Sequence, residues 1–530
     1  MRIAFLSLLA AAAGWAQVTA PLLGWLPEGS HIRRMNGLPG AASLGPVMNP
    51  GRDLARIAIS PRQDYALASD LTTGQVDLIL PGISSTPLNV PARPDEIAVS
   101  PRGSSAVLWY GSDRRFEIVT GLPGSPAIHD ADASAFSGSP AAVAVSDDGQ
   151  RLAAAFDGAV YALGDDGPAR TVYGGTARAL AFYAGRPDLA VATPTQILCI
   201  SDIGGSANVS ALHVGTFSPA GIAVSSDNRK IVMADTAGAI VSIDAATSIP
   251  QNFDCRCRPA GVFGLSGQIF RLTNSPRDAV TLFDAAAGGI LAVPRAAPSR
   301  RVSRNSAGAF LPAITINLSP SPTGYLQQPT MTVTAATASP TDIQGTVTLT
   351  FAFSGGGDDQ SIQFSTGGQS VDFTIPANTT QATFSGKPSV SFSTGTVAGT
   401  ITVTAIVSST QVATKTIVTN PTVPFISTVT LTKAAGSLTV VVTGFSSTRD
   451  MTSGLFHFAP STNATLSQTD LMVGLGPAFT TWYQNPASNA TGSQFTLTMP
   501  FTVQGSTADI VAVTVTLTNS KGASNPVSPQ

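Results

Sequence analysis

The sequence predicts an all-β chain, a ring of repeated four-stranded sheets followed by two β-sandwiches. Three observations predict it. One short apolar phrase ending in a polar turn recurs at a near-constant interval from Ile57 to Leu265. Beyond Phe310 the chain alternates Thr or Ser with aliphatic and aromatic residues. Only three Glu and five Lys occur in 530 residues, and those two types usually fill exposed helix faces.

The N-terminus predicts the compartment. Arg2 precedes an apolar stretch from Ile3 to Ala13, and Gly14-Trp15-Ala16 places small residues at −3 and −1 before Gln17. This is the pattern of a Sec-type signal peptide over residues 1–16, and the stretch is too short to span ~30 Å of hydrocarbon. The expectation is a secreted chain (extracellular, periplasmic or cell-surface) without a transmembrane segment in its mature form. A formal charge of −2 predicts no nucleic-acid partner.

Residues 17–299 carry the repeat. It reads Ile57-Ala58-Ile59-Ser60-Pro61-Arg62-Gln63, then Ile97-Ala98-Val99-Ser100-Pro101-Arg102-Gly103, Val143-Ala144-Val145-Ser146-Asp147-Asp148-Gly149 and Ile222-Ala223-Val224-Ser225-Ser226-Asp227-Asn228. Weaker copies begin at Leu180 and Val262. The six starts are therefore Ile57, Ile97, Val143, Leu180, Ile222 and Val262. A period of roughly 40 residues is that of one four-stranded propeller blade. The apolar run makes the innermost strand, and the Ser-Pro-Arg-Gly or Ser-Asp-Asp-Gly tail makes a turn in which Gly or Asn accepts φ > 0. Six phrases predict a six-bladed β-propeller. Leu22 to Met35 is expected to add outer strands to the last blade, around Val280–Phe283 and Ile290–Val293, and so to clasp the ring; a seventh blade assembled from both ends is the alternative.

Residues 300–312, with Arg300, Arg301 and Arg304 and no apolar period, predict a linker. Two modules follow, at 313–421 and 422–530, separated by Asn420-Pro421-Thr422-Val423-Pro424. Runs such as Thr346-Val347-Thr348-Leu349-Thr350-Phe351 and Val511-Ala512-Val513-Thr514-Val515 have the period of half-buried antiparallel strands.

The phrase, the period and the hairpins resemble the YVTN/NHL-type and lactonase-like β-propellers of exported bacterial proteins, over roughly residues 20 to 300. The two modules are similar to the immunoglobulin-like domains appended to bacterial surface proteins. These resemblances imply a fold, and an axial site formed from several blades where such a propeller is an enzyme.

Residues able to carry chemistry are few. The four histidines, His31, His129, His213 and His457, fall in an outer-strand hairpin, an inter-blade loop, an outer strand and the last module, and should not converge. His129-Asp130-Ala131-Asp132 is read as a solvated acidic loop, and Asp147-Asp148-Gly149, Asp165-Asp166-Gly167 and Gly355-Gly356-Gly357-Asp358-Asp359 as turns rather than calcium loops. The predicted inner-strand starts offer mainly Asp95 and Glu96. No catalytic residue, metal site or cofactor is therefore expected. Phe479-Thr480-Thr481-Trp482-Tyr483-Gln484-Asn485 brings aromatics to a polar loop, and Trp482 and Tyr483 are the candidate binding residues, with a sandwich core as the alternative. Among Cys199, Cys255 and Cys257 a disulfide is expected between Cys199 and one of the other two, or else three buried thiols. The functional expectation is a non-enzymatic secreted or cell-surface binding or scaffold protein. Its propeller loops would recognise a protein or glycan partner, and its sandwiches would project or attach it. The alternative is a lactonase-like propeller hydrolase or lyase.

Overall fold

The computed structural model describes residues 4–10, 16–48, 51–82, 84–164, 167–295, 311–353, 358–462 and 464–529. They fall into two compact units, one of Leu23–Met35 with Gly45–Ala292, the other of Met1–Leu22 with Asn36–Leu44 and Val293–Gln530. The expected linker lies mostly outside the described residues, as does the stretch 11–15 before the expected cleavage point. Among the described residues no helix is long and apolar enough to cross a membrane.

The first unit is a β-propeller. Each of the six phrases becomes the first strand of a four-stranded sheet: Leu54–Ile59, Glu96–Val99, Ala142–Val145, Ala179–Phe182, Pro219–Val224 and Phe263–Gly264. Within each sheet the strands follow one another in chain order. The first strands of successive sheets pack against each other, which makes them the innermost. A seventh sheet, first in the chain, holds Leu22–Glu28, His31–Asn36 and Ser43–Met48. We number the sheets 1 to 7 in chain order.

Sheet 1 corrects the expected clasp. The N-terminal stretch does not extend sheet 7, whose own outer strands are Val280–Asp284 and Gly289–Val293. It stands alone because it has an apolar face to bury: Trp25, Ile32 and Met48 pack on Leu54, Ala66, Ala68 and Ile79 of sheet 2. The same logic repeats round the ring, since no sheet can hide both faces by itself. Tyr65, Leu67 and Leu78 of sheet 2 pack on Ala106, Leu108 and Val119 of sheet 3, and Ala153 and Val160 of sheet 4 pack on Leu180, Leu189 and Val191 of sheet 5.

The second unit contains two sandwiches. In the first, the sheets Ile314–Ser319/Thr330–Ala335/Val390–Ser391 and Ser370–Ile375/Ile343–Ala352/Gly399–Val407/Thr410–Thr419 enclose Met331, Val333, Val347, Phe373, Phe392 and Val403. In the second, Phe425–Ala434/Ser437–Phe445/Gln494–Gln504 faces Asp470–Gly474/Ser453–Pro460/Ile510–Asn519/Gly522–Ala523 across Val440, Phe456, Phe458, Phe501 and Val515. Buried aliphatics alternate with outward Thr along these strands, as the period-2 pattern requires. Two N-terminal strands, Ala4–Ala10 and Gln17–Thr19, pair with the free edge of Gln494–Gln504.

The all-β expectation misses one α-helix, α1 over Gly476–Gln484, and two short 3-10 turns at Pro486–Thr491 and Thr507–Asp509. Pro477 occupies its first turn, where a missing N–H costs nothing. Phe479 and Tyr483, at i and i+4, share its buried face. Asn485 ends it, and its side chain accepts the Ala487 N–H at 3.0 Å.

The sandwiches are joined by buried polar contacts rather than a loose hinge. Asp359 is fully buried, and its carboxylate accepts the N–H groups of Thr396 (2.7 Å), Val397 (3.0 Å) and Ser361 (3.1 Å), together with the Ser361 hydroxyl. Ser493 of the second sandwich donates its hydroxyl to Thr396 O at 2.7 Å, and the Thr396 hydroxyl accepts Ser493 N–H at 3.0 Å. Arg449 donates to Tyr483 O, Gly492 O and Ser488 Oγ at 2.8–2.9 Å and reaches Asp358 O at 3.3 Å.

Candidate functional site

The polar turns that close each phrase form one face of the propeller, and they bond from sheet to sheet. The seventh residue of the phrase is left-handed wherever the phrase is complete: Gln63 (φ 60°), Gly103 (69°), Gly149 (71°) and Asn228 (60°). Gly is the least strained choice there, and Gly149 also has Thr120 Cγ2 only 2.3 Å from where a Cβ would stand. Gln63 and Asn228 break that preference and use their side chains to tie neighbouring sheets together. Gln63 accepts Trp25 N–H from sheet 1 at 2.8 Å and donates to Gly264 O of sheet 7 at 3.2 Å, which closes the ring. Asn228 exchanges two hydrogen bonds with the Ala184 backbone, at 2.8 and 2.9 Å. Asp147 links three sheets, accepting Arg102 N–H and Gly185 N–H, each at 2.6 Å.

On this face a cavity of about 540 Å³ opens between sheets 5 and 6, lined by Arg186, Asp227, Asn228, Arg229, Asp244, Ala245 and Ala246. Its walls are fixed. Burial alone would raise the Asp227 pKa, but hydrogen bonds from the Ser225 hydroxyl, Arg229 N–H and Gln268 outweigh it and hold the carboxyl below its usual range. Asp244 is held down by the Thr247 N–H and then by Lys230, 3.2 Å away. Arg229 approaches Asp227 and Arg186 approaches Asp188 only to 3.9 Å, and both arginines stay largely exposed. The site therefore offers two exposed guanidinium groups above two anchored carboxylates and an Asn, an arrangement for hydrogen-bonding a polar partner. The turn chemistry of Asp227-Asn228 was legible in the sequence. Its meeting with Arg186, which belongs to the preceding repeat, depends on one sheet packing on the next.

The sequence-predicted residues are dispersed. Asp95 accepts Gly111 N–H at 2.8 Å and so caps a turn. Glu96 sits on the innermost strand of sheet 3, where burial raises its pKa against the pull of Arg56. His129 lies within the outer strand Ala127–Asp132 rather than in a loop, which corrects the expected placement; strand alternation sends His129 and Asp130 to opposite faces. Asp130 instead approaches Arg115 at 3.3 Å, and Arg115 reaches Glu117 at 3.1 Å. Burial, then a hydrogen bond and the charge of Asp130, push the Glu117 carboxyl up to about 7 against the opposing effect of Arg115. Asp148 is a turn former, accepting Ser146 Oγ at 2.5 Å and Gln150 N–H at 3.0 Å, while Asp165, Asp166 and Gly355 to Gly357 lie outside the described residues. His457 Nδ1 pairs with Asp470 Oδ1 at 2.8 Å on the second sandwich, and His31 faces Asp53 at 3.9 Å. Among the described residues no group of three or more His, Cys, Asp or Glu is placed to hold a metal ion.

The two aromatic candidates have different fates. Tyr483 is buried in the second sandwich, and its hydroxyl donates to Ser493 O at 2.7 Å. Trp482 is partly buried against the same core, with Nε1 donating to Gln494 O at 3.3 Å. Helix α1 turns Tyr483 inward, so only Trp482 retains a surface on which a ligand can stack.

The expected disulfide is also corrected. Cys255 and Cys257 are bonded to each other, with Cα atoms 5.1 Å apart, and Cys199 is a free thiol. Arg256 between the bonded pair is left-handed (φ 49°), and its N–H is held by Asp254 at 2.8 Å, which folds the chain back on itself. Cys199 sits in Gln196–Ser201 of sheet 5, and burial raises its pKa against hydrogen bonds with Tyr183 and Ser201.

No protein-family model matches the chain, and no curated protein matches it in sequence. Among solved structures the chain is similar to apo AztD from Citrobacter koseri (13% identity, TM-score 0.38, covering 52% of this chain and 95% of that one). It is also similar to streptogramin B lyase (11%, TM-score 0.36, 54% and 89%) and to Kluyveromyces lactis Hsv2 (11%, TM-score 0.36, 50% and 93%). Each match covers about half of this chain, and none assigns it an activity.

Proposed function

We propose that the chain is an exported, non-enzymatic binding or scaffold protein. The turn face of its propeller recognises a protein or glycan partner through the cavity between sheets 5 and 6, and the sandwiches, read as immunoglobulin-like, project or attach it. The observation that carries this reading is the state of the acids around that cavity. Asp227 and Asp244 are bound by amides, hydroxyls and Lys230. Such carboxylates shape a surface well and make poor proton shuttles, because their bonds favour the ionised form. Arg186 and Arg229 remain available for hydrogen bonding to a partner.

The test compares the full-length protein with an Arg186→Glu/Arg229→Glu variant on a glycan array and against isolated envelope proteins. A defined ligand bound by the wild type and lost in the variant, with folding retained, supports the reading. Turnover of a lactone, ester or glycoside panel by the wild type would replace it with the hydrolase or lyase alternative. Identical binding by both proteins would move recognition away from this cavity.

A further inference from the structure

The repeat gives an internal standard, and sheet 7 departs from it at one pair of positions. The second residue of the phrase is Ala58, Ala98, Ala144, Ala181 and Ala223 in sheets 2 to 6. Its partner across the first hairpin is Leu67, Val107, Ala153, Ala190 and Val232. In sheet 7 the same pair is Phe263 and Arg271. Pairs of an alanine with an aliphatic residue suit the most crowded radius of a propeller; a phenyl ring opposite a guanidinium does not follow from packing.

Arg271 has no counter-charge among the described residues. It is 3% exposed, and its Nε and Nη1, which carry three of the five guanidinium N–H groups, have no hydrogen-bond partner among the described residues. Burial alone moves its pKa, down to about 9, with no carboxylate contributing, so it is still a cation at neutral pH. Phe263, 37% exposed on the innermost strand, lies with its ring centroid 4.3 Å from the Arg271 guanidinium carbon. The ring face offsets part of the charge, but it cannot accept the N–H groups lying in the guanidinium plane. The buried carboxyl groups elsewhere in the ring show the contrast, since each has an arginine beside it: Arg52 at Asp77 and Arg115 at Glu117. A buried charge left without a counter-charge is among the costliest arrangements a fold can hold.

We propose that Arg271 is the anchor of an oxyanion-binding site at the first hairpin of sheet 7, entered past Phe263 and taking a small ligand that bears a carboxylate or phosphate group. The inference does not depend on the cavity between sheets 5 and 6. It gives the propeller a second, small-molecule ligand, with the oxyanion accepting Arg271 N–H groups and the Phe263 ring covering the ion pair.

The test titrates the full-length protein with sodium acetate and, separately, sodium phosphate at pH 7. Thermal unfolding and titration calorimetry are followed for the wild type, Arg271→Met and Arg271→Lys. At ten times the dissociation constant the binding anion should raise the wild-type propeller transition by about 3 °C, leave Arg271→Met unmoved, and give Arg271→Lys a smaller rise. A response to acetate alone identifies a carboxylate ligand, and a response to phosphate alone a phosphoryl ligand. Equal shifts in wild type and Arg271→Met, or no binding heat from either anion in the wild type, would overturn the proposal. The calorimetric arm decides even where Arg271→Met does not fold.

Discussion

Replacing Asp359 by Asn tests whether the two sandwiches are one cooperative unit. Asp359 Oδ2 accepts two backbone N–H groups, Thr396 at 2.7 Å and Val397 at 3.0 Å, and Oδ1 accepts Ser361 N–H at 3.1 Å. An Asn amide turns one of those oxygens into a donor. In its better orientation it faces the single Ser361 N–H, because the Ser361 hydroxyl can rotate to accept while a backbone N–H cannot. One buried N–H is then unsatisfied, at about 1–3 kcal/mol, and the remaining bonds fall from charged to neutral strength, a further ~1 kcal/mol each. Removing the cost of burying a carboxylate offsets part of this, which leaves a net loss of about 2–4 kcal/mol. For a unit of this size that is a fall of roughly 5–12 °C in its transition. Because Thr396 also meets Ser493 of the second sandwich, the loss should appear as one sandwich transition becoming two. The measurement is differential scanning calorimetry of the full-length variant with the propeller transition as internal reference. A shift under ~2 °C, or two sandwich transitions already present in the wild type, would refute the reasoning.

Five further outcomes are expected. Glu117 has a pKa near 7 in the fold, above its unfolded value of about 4.3, so the stability it contributes is complete below about pH 4.3 and lost as pH rises through 7; Glu117→Gln should flatten the thermal stability of the propeller between pH 5 and 8. Gly149→Ala puts a side chain at φ 71° against Thr120 and should cost about 2 kcal/mol or more by denaturant titration. Tyr483→Phe removes one buried hydrogen bond and should cost about 1 kcal/mol, while Trp482→Ala should abolish any glycan binding by the second sandwich without unfolding it. If the proposed export holds, N-terminal sequencing of the mature protein should read Gln-Val-Thr from Gln17, the start of the Gln17–Thr19 strand; a chain that still begins at Met1 would count against cleavage there and retain Ala4–Ala10 as a strand of that sandwich.

Much of the fold is legible in the sequence because its driving patterns are local. The six phrases locate six innermost strands, since each is a short apolar run ended by its own turn, and Thr alternation locates the sandwich strands for the same reason. Sheet 1 is not legible in this way: Trp25 and Ile32 belong to no phrase, and only their packing on Leu54 and Ala66 shows that they form a sheet of their own. Helix α1 hides because Phe479 and Tyr483 are too few to display a helical period within so short a segment. The cysteine pairing is settled by a left-handed Arg256, a conformation that residue type does not announce. The cavity residues are legible one at a time and invisible as a set, since Arg186 and Asp227 meet only when sheet 5 packs on sheet 6.

In a repeat protein, what the repeat fails to explain is the best guide to what selection has added. Gln63 and Asn228 replace Gly at a left-handed turn, and the strain is answered by bonds to a neighbouring sheet; their departure is structural, and it is complete. Asp77 and Glu117 both lie opposite the twelfth residue counted from the phrase start, Ala68 and Leu108, and each finds an arginine; that departure is balanced as well. Phe263 and Arg271 replace an apolar pair at the tightest radius, and the guanidinium finds no counter-charge among the described residues. A fold that answers Asp77 and Glu117 inside the propeller has no structural use for a buried charge it leaves open, so the missing half of that interaction belongs to a molecule the protein binds.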